Sequence, residues 1–305
     1  MDPLQLQQLL NRYNIKPSRS KGQNFLLDED VIARMVEVAG VQADDLVIEI
    51  GPGLGVLTKS LCEKAKAVLA IELDENAAVA LRKELVPKHA NLTLWEGDAL
   101  SNRAFHHRVE WLAGKQGWSE KVDLKSSSYK ELLSKLDRSY KIVANLPYQI
   151  TSKFLRSALE DLPRPSVMVV MLQKEVAERA AAKPGSMSLL SLAVQAYSEA
   201  HIVEIVRSTA FYPQPEVDSA VLACDLTKPD AAYASLSADE LARFWRLAKA
   251  GFASRRKQLK NNLALALPGK TIEEVVAILA EIGQASTVRA QELSVADWCN
   301  LVRKV

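Results

Sequence analysis

The sequence predicts an α/β fold in which a mostly parallel sheet, covered by helices, precedes a small all-helical domain. Two patterns predict it. From Asp45 to about Leu172, short β-rich runs alternate with segments of helical periodicity, as in right-handed βαβ units. From about Ser237 onward the sequence shows only helical periodicity.

The elements of the sheet follow one another at short intervals. Strands are predicted at 46–50, 67–72, 92–95, 141–144, 167–172, 201–206 and 219–224, and helices at 54–63, 75–85 and 151–159. The caps Ser237 before Glu240 and Thr271 before Glu274 mark later helix starts. The composition shifts after 227–230, so we divide the chain into domains at 1–228 and 229–305. The stretch 101–139 follows neither pattern and is predicted to be an insertion.

The composition is that of a globular protein with a hydrophobic core. Of 305 residues, 48% are hydrophobic and 25% are charged. No run approaches the roughly 20 apolar residues that cross a bilayer, and the first residues do not resemble a secretory signal. Cys62, Cys224 and Cys299 are isolated, which predicts a reducing compartment without disulfides or a zinc site. We expect a cytoplasmic protein that has no membrane contact.

The distribution of charge is more informative than the net charge of +2, which is too small to indicate nucleic-acid binding. Basic residues cluster at Lys16, Arg19 and Lys21 and again at Arg255, Arg256, Lys257 and Lys260. Such a run is usually a solvated helix face. Aromatic residues and leucines around the late cluster indicate a packed helix with its basic groups outward. Charge alone leaves RNA binding undecided.

A glycine-rich turn follows the first predicted strand. It runs from Glu49 to Gly55, with glycines at Gly51, Gly53 and Gly55. Glycine lets a backbone turn tightly and approach a ligand closely. The spacing differs from the dinucleotide fingerprint G-x-G-x-x-G, because Val56 occupies the last position. A tight βα turn alone would also account for these glycines, so both interpretations remain open.

Acidic residues end the next two strands. Glu72 follows the glycine turn by about 20 residues, where a carboxylate can accept hydrogen bonds from ribose hydroxyls. Asp98 ends the third strand, where it can accept a hydrogen bond from an adenine amino group. Either residue alone could merely cap the following helix. Together with the glycines, they favour a nucleoside-binding crevice at the carboxyl ends of the strands.

The fourth strand ends in the tetrapeptide Asn145, Leu146, Pro147 and Tyr148. The Asn145 and Leu146 carbonyls can accept the two hydrogens of an aromatic amino group and so turn its nitrogen lone pair toward a methyl donor. Pro147 fixes the backbone, and Tyr148 can stack on a base. An ordinary strand-to-helix turn is the competing interpretation.

These motifs resemble the ribosomal RNA small-subunit adenine N6,N6-dimethyltransferases. The resemblance rests on five segments in the order of that family: residues 22–26, 145–148, 211–219, 255–263 and 289–294. It runs from about Ser18 to the end of the chain, interrupted by the insertion. It implies a Rossmann-like S-adenosylmethionine-dependent methyltransferase sheet in 1–228 and a helical RNA-binding domain in 229–305.

The resemblance also implies roles for individual residues. Cofactor binding is implied for Asn24, Leu26, Gly51, Gly53, Glu72, Asp98 and Asn145. The target adenine would be gripped by residues 145–148, with Phe211 sandwiching it from the other side. That adenine must be single-stranded or extruded, since its N6 is otherwise paired.

The predicted reaction is an in-line displacement at the sulfonium methyl of S-adenosylmethionine. The donor is already activated, so positioning supplies most of the acceleration. We assign no general base, because the amine becomes acidic only after methylation. The histidines His89, His106, His107 and His201 lack visible partners in the sequence, and no metal-ligand set is present.

Three segments depart from the family pattern. The insertion adds roughly 20 residues between Asp98 and Asn145, Glu216 occupies a position where a basic residue is common, and the segment 184–190 is shortened. These departures concern RNA docking and leave the residues of the tetrapeptide unchanged.

The resulting prediction is dimethylation of two adjacent adenines at N6 in a loop near the 3′ end of small-subunit rRNA. The expected partner is a pre-assembled small ribosomal subunit, the expected role is in ribosome biogenesis, and nothing requires more than a monomer. Alternatives are a large-subunit rRNA methyltransferase of the macrolide-resistance type and a non-catalytic assembly factor. A dinucleotide dehydrogenase is disfavoured by the glycine spacing.

Overall fold

The structure is a computed structural model that describes residues 3–17, 23–101, 108, 110–112, 114, 140–160 and 163–305. Most of the predicted insertion at 101–139, with His106 and His107, lies outside the described residues, as do Arg19 and Lys21. The described chain forms two compact units. The first consists of Met1–Lys174 and Ile202–Cys224, and the second of Glu175–His201 and Asp225–Val305.

The first unit contains the predicted Rossmann-like sheet. Its strands are β1 (Phe25–Leu26), β2 (Leu46–Ile50), β3 (Ala67–Glu72), β4 (Leu92–Glu96), β5 (Tyr140–Asn145), β6 (Val167–Gln173), β7 (Glu199–Val206), β8 (Phe211–Tyr212) and β9 (Ser219–Asp225). The first three residues of β7 and the last residue of β9 belong to the second unit. Seven strands form one sheet in the order β4-β3-β2-β5-β6-β9-β7. The five strands from β4 to β6 in this order are parallel. The α/β prediction is therefore confirmed.

The helices described in this unit are α1 (Pro3–Arg12) and α2 (Glu29–Val38), which precede β2, and α3 (Val56–Lys64), α4 (Glu75–Glu84) and α5 (Thr151–Glu160), which each connect two parallel strands. Asp28 and Asp74 cap α2 and α4 by accepting hydrogen bonds from backbone N–H groups of the first turn. The core of the unit lies between the helices and the central strands, where all five residues of β2 are buried.

The second unit is helical. Its helices are α6 (Lys174–Ala180, of which Lys174 belongs to the first unit), α7 (Leu189–Tyr197), α8 (Ala231–Ala234), α9 (Ala238–Phe252), α10 (Leu259–Ala266), α11 (Ile272–Glu281) and α12 (Val295–Lys304). The predicted caps are confirmed, since Ser237 with Glu240 and Thr271 with Glu274 form reciprocal capping boxes.

The second unit begins earlier in the chain than the predicted division at 228/229. Residues 175–201 belong to it because α7 contributes side chains such as Leu192 and Ala196 to the helical core. Tyr197, at the end of α7, stacks on Trp245 with the ring centroids 6.3 Å apart. An aromatic cluster therefore joins segments that are far apart in sequence.

Two features are absent from the described residues. None of the helices described is long and apolar enough to span a membrane. In the same part of the chain, no cluster of three or more His, Cys, Asp or Glu side chains is arranged to hold a metal ion.

Packing in the second unit predicts that Gly251→Ala is destabilising. A Cβ at this position would lie 2.5 Å from Cη2 of Trp298. Glycine-to-alanine in a helix interior normally stabilises by about 1 kcal/mol, but overpacking costs about 1–3 kcal/mol. We therefore expect a lower free energy of unfolding in urea titrations. Ala242→Ser, on the exposed side of the same helix, should change it by about 0.5 kcal/mol or less. Unchanged or increased stability of Gly251→Ala would contradict the packing shown.

Candidate active site

The parallel register brings the loops after β2, β3 and β5 to one edge of the sheet. Ile50 at the end of β2 pairs with Ile71 in β3, and Ile48 pairs with Ile142 in β5. The carboxyl ends of parallel strands point the same way. The glycine turn, Glu72 and the tetrapeptide, which lie far apart in sequence, therefore become neighbours.

The glycine turn is close to two of its neighbours. Gly51 and Gly53 have φ angles of +66° and +58°, a backbone region that residues other than glycine rarely adopt. A Cβ at Gly51 would lie 3.3 Å from Cδ and Cγ of Pro147, and one at Gly53 would lie 3.1 Å from the ring of Phe25. The glycines therefore permit a close approach as well as a turn.

Two adjoining cavities lie along this edge. The first, which we call the glycine-turn cavity, is lined by residues including Asn24, Leu26, Glu49, Gly51, Gly53, Glu72 and Asn145 to Tyr148. The second, the Asp98 cavity, is lined by residues including Leu73, Asp74, Gly97, Asp98 and Ala99. The two share Gln23, Gly51, Glu72 and Pro147. All seven predicted cofactor-binding residues thus line one cavity or the other.

The two acids at the strand ends have different surroundings. Glu72 is buried, and its oxygens accept hydrogen bonds from the backbone N–H groups of Gly53 at 2.9 Å and Asp74 at 2.8 Å. Burial raises the pKa of Glu72. Asp98 is exposed, and its Oδ1 accepts a hydrogen bond from the backbone N–H of Leu100 at 2.9 Å. Each acid therefore fixes a turn of the backbone and also lines a cavity.

The tetrapeptide is anchored through its backbone and through Asn145. The Leu146 N–H donates to the Met171 carbonyl at 3.0 Å. The Pro147 carbonyl accepts hydrogen bonds from the N–H of Ile150 and the hydroxyl of Thr151. Asn145 Nδ2 donates to the Asn24 carbonyl at 3.3 Å. Asn145 Oδ1 accepts no hydrogen bond from the described residues, so it can serve as an acceptor for a ligand.

A third cavity lies on another side of Tyr148. We call it the glutamine pocket, because Gln149, Gln173 and Gln214 line it together with Asn24, Tyr148 and residues 213–217. Tyr148 Oη and Ser219 Oγ are hydrogen-bonded at 2.9 Å. Burial raises the pKa of Tyr148, so its hydroxyl is neutral at ordinary pH.

Phe211 differs from the other predicted site residues in its relation to the cavities. It is buried in the core of the first unit and lines none of the three cavities. Its strand β8 pairs with β1, which places Phe211 opposite Leu26. Its role as the second wall of the target-adenine site stays a prediction.

Sequence reasoning missed Glu49. Its side chain is 1% exposed and lines the glycine-turn cavity, and its Oε2 has no hydrogen-bond partner in the described chain. Burial, with the nearby charge of Glu72, raises the pKa of Glu49 to about 8. The available signal was a single acidic residue within an otherwise apolar strand.

The residues present fit a nucleoside cofactor that carries a cationic group. A buried acceptor without a partner is costly unless a ligand supplies a donor, and Glu49 is such an acceptor. Gly51 and Gly53 leave open the space that their side chains would fill. Glu72 and Asp98 add acceptors farther along the same edge. S-adenosylmethionine has an ammonium group, ribose hydroxyls and an adenine amine that match these acceptors.

The fold matches two solved structures. One is described as 23S rRNA methyltransferase ErmE, with a TM-score of 0.68 and 24% identity over 92% of this chain and 99% of the other. The second is a dimethyladenosine transferase from Plasmodium falciparum, with a TM-score of 0.66 and 23% identity over 91% and 95%. At this identity the likeness shows the fold alone.

Sequence comparison shows the family. The chain is 37% identical to a protein named ribosomal RNA small subunit methyltransferase A from Dehalococcoides mccartyi, over 96% of this chain and 90% of the relative. Proteins of the same name from Geobacillus kaustophilus and Bacillus licheniformis are 36% and 40% identical, over 98% and 87% of this chain and 94% and 82% of their own lengths. The model of the family described as ribosomal RNA adenine dimethylase matches residues 14–305. The chain therefore belongs to the ribosomal RNA adenine dimethylase family and is an S-adenosylmethionine-dependent rRNA methyltransferase.

Proposed function

We propose that the protein dimethylates N6 of two adjacent adenines in a loop near the 3′ end of small-subunit rRNA. It acts as a monomer on a pre-assembled small ribosomal subunit in the cytoplasm and so contributes to ribosome biogenesis. The observation that carries the proposal is the contact between the glycine turn and the tetrapeptide. That contact sets a cofactor cavity directly against an amine-binding residue, Asn145.

The cofactor is held along the carboxyl edge of the sheet. Asp98 accepts a hydrogen bond from its adenine amine, Glu72 binds the ribose hydroxyls, and Glu49 accepts a hydrogen bond from the α-ammonium. Asn24 and Leu26 close over the methionine end. S-adenosylmethionine supplies an activated methyl group, so the protein has only to place that group and an acceptor in line.

The target amine is held by carbonyl oxygens. Asn145 Oδ1 and the Leu146 carbonyl accept the two N6 hydrogens, which draws the nitrogen lone pair out of conjugation and toward the methyl group. The anchoring of Leu146 on Met171 and of Asn145 on Asn24 holds both acceptors in place before the base arrives. Such preorganisation supports rate acceleration without a general base.

The helical unit supplies cationic groups for RNA. Arg255, Arg256 and Lys257 are exposed in the turn between α9 and α10, and none forms an ion pair with the described residues. Asn262 donates from Nδ2 to the carbonyls of Gly251 and Ser254, which shapes this turn. Uncompensated cations on an ordered turn suit RNA phosphates. The names of the sequence relatives favour small-subunit rRNA as the partner.

The experiment that tests the function is incubation of labelled S-adenosylmethionine with small ribosomal subunits lacking the modification. We expect N6,N6-dimethyladenosine in nucleoside mass spectrometry, at two adjacent positions when mapped by primer extension. Transfer only to large-subunit rRNA would contradict the substrate. Absence of transfer, with RNA and cofactor both bound, would indicate a non-catalytic assembly factor.

Asn145→Ala should abolish methyl transfer while leaving cofactor affinity largely intact. The variant removes an acceptor for the target amine, whereas Glu49, Glu72 and Asp98 continue to hold the cofactor. Transfer rates and calorimetric binding of S-adenosylhomocysteine separate the two effects. Equal loss of rate and affinity would show that Asn145 acts mainly on the cofactor.

Cofactor affinity should rise with pH up to about 8, the pKa of Glu49 without ligand. Below that pH the carboxyl is protonated, and an ammonium partner binds only as the proton leaves, so binding releases up to one proton. Above it the affinity levels off, until the ammonium of the ligand begins to lose its own proton. Calorimetry with S-adenosylhomocysteine in two buffers of different ionisation enthalpy measures this release.

Glu49→Gln should abolish the proton release, while the matched variant Glu72→Gln should weaken binding and retain the release. 5′-Methylthioadenosine, which lacks the ammonium group, should bind without releasing a proton. Undiminished release in Glu49→Gln would contradict the assignment of the ammonium to Glu49.

A further inference from the structure

Tyr148 is a shared wall of two cavities. It lines the glycine-turn cavity on one side and the glutamine pocket on another. Under the proposed function, the target adenine must place N6 beside Asn145 while its ring lies against Tyr148. The orientation of the Tyr148 ring therefore determines where the reacting nitrogen lies.

The hydroxyl of Tyr148 is hydrogen-bonded to a residue of the central sheet. Ser219, its hydrogen-bond partner at 2.9 Å, is fully buried and begins β9, which lies beside β6 in the sheet. The preceding residue, Asp218, accepts a hydrogen bond from the Lys174 N–H at its backbone carbonyl and one from the Ser208 N–H at Oδ1. Ser219 is thus fixed by its strand and by its neighbour.

We propose that Ser219 is a positioning residue for methyl transfer, which holds the Tyr148 ring as the surface on which the target adenine stacks. The inference rests on the proposed function and adds to it a residue that touches neither cofactor nor base. Without the Ser219 hydroxyl the ring keeps its stacking surface but loses the bond that fixes its tilt. The base would still bind, but its N6 would be less well aligned with the methyl group.

Loss of the hydrogen bond between Tyr148 and Ser219 should affect the chemical step selectively. Displacements of about 1 Å in a reacting group can cost about 100-fold in rate, and a small tilt of the ring should cost less. We expect Ser219→Ala and Tyr148→Phe each to lower the single-turnover transfer rate by about 10-fold. Affinities for S-adenosylhomocysteine and for the ribosomal subunit should stay within about two-fold, because other residues provide that binding.

A double-mutant cycle tests whether the two hydroxyls act together. Since each single change breaks the same hydrogen bond, the double variant should be slowed no more than either single variant. Ser198→Ala is the matched control, because Ser198 is also buried and donates to the Val194 carbonyl at 2.7 Å. This control should lower thermal stability and leave the transfer rate unchanged.

Several outcomes would overturn the inference. A wild-type rate in Ser219→Ala would do so, as would losses that multiply to about 100-fold in the double variant. If Ser219→Ala fails to fold, Ser219→Cys retains the size and a weak donor and should slow transfer without changing cofactor affinity. An inactive wild-type protein would instead contradict the proposed function. Failure of the inference about Ser219 can therefore be distinguished from failure of the proposed function.

Discussion

The absence of a side chain at Gly51 is the constraint on which the active site depends. β2 pairs in parallel register with β3 and β5, so the turn that follows β2 lies beside the turn that follows β5. A Cβ at Gly51 would meet Pro147 at 3.3 Å, in a backbone conformation with φ of +66°. A side chain at this position would strain the backbone and require Pro147 to shift by a few tenths of an ångström. Under the proposed function, such a shift would displace Asn145 from the position in which it presents the target amine to the methyl group.

Two buried glutamates at this edge have the same chemistry and different roles. Glu72 is satisfied by two backbone N–H groups and so fixes the glycine turn as well as lining the cavity. Glu49 has an oxygen without a partner in the described chain. A buried acceptor in that state stabilises the protein less than a paired one and gains most from a cationic ligand. Because their surroundings differ, substitution of Glu49 should report more specifically than substitution of Glu72 on the binding of a cationic group.

Much of the sheet was predictable because each strand is a short apolar run bounded by polar or glycine residues. β2 and β3 match their predicted bounds, and β5 and β6 extend them by one residue at one or both ends. β1 and β8 were not predicted, since two residues carry no periodicity. For the same reason the sequence could not show which way Phe211 faces. Its pairing partner Leu26 belongs to a segment nearly 200 residues away.

The sequence predicted most of the residues that line the two cavities, with Glu49 missed and Phe211 outside them, but it did not predict the contacts between them. Strand ends indicated Glu72, Asp98 and Asn145, because parallel topology dictates that they meet. The support of Tyr148 by Ser219 depends on the place of β9 beside β6, which strand patterns do not specify. Likewise, the inclusion of residues 175–201 in the helical unit follows from tertiary packing of α7, which local periodicity does not reveal.

The most direct measurement is a crystal structure of the protein with S-adenosylhomocysteine, collected near pH 8. We expect the α-ammonium within hydrogen-bond distance of Glu49 Oε2, the ribose at Glu72 and the adenine amine at Asp98. We also expect the sulfur on the side of the cavity nearest Asn145. A ligand bound with its ammonium away from Glu49, or with its sulfur shielded from Asn145, would contradict it.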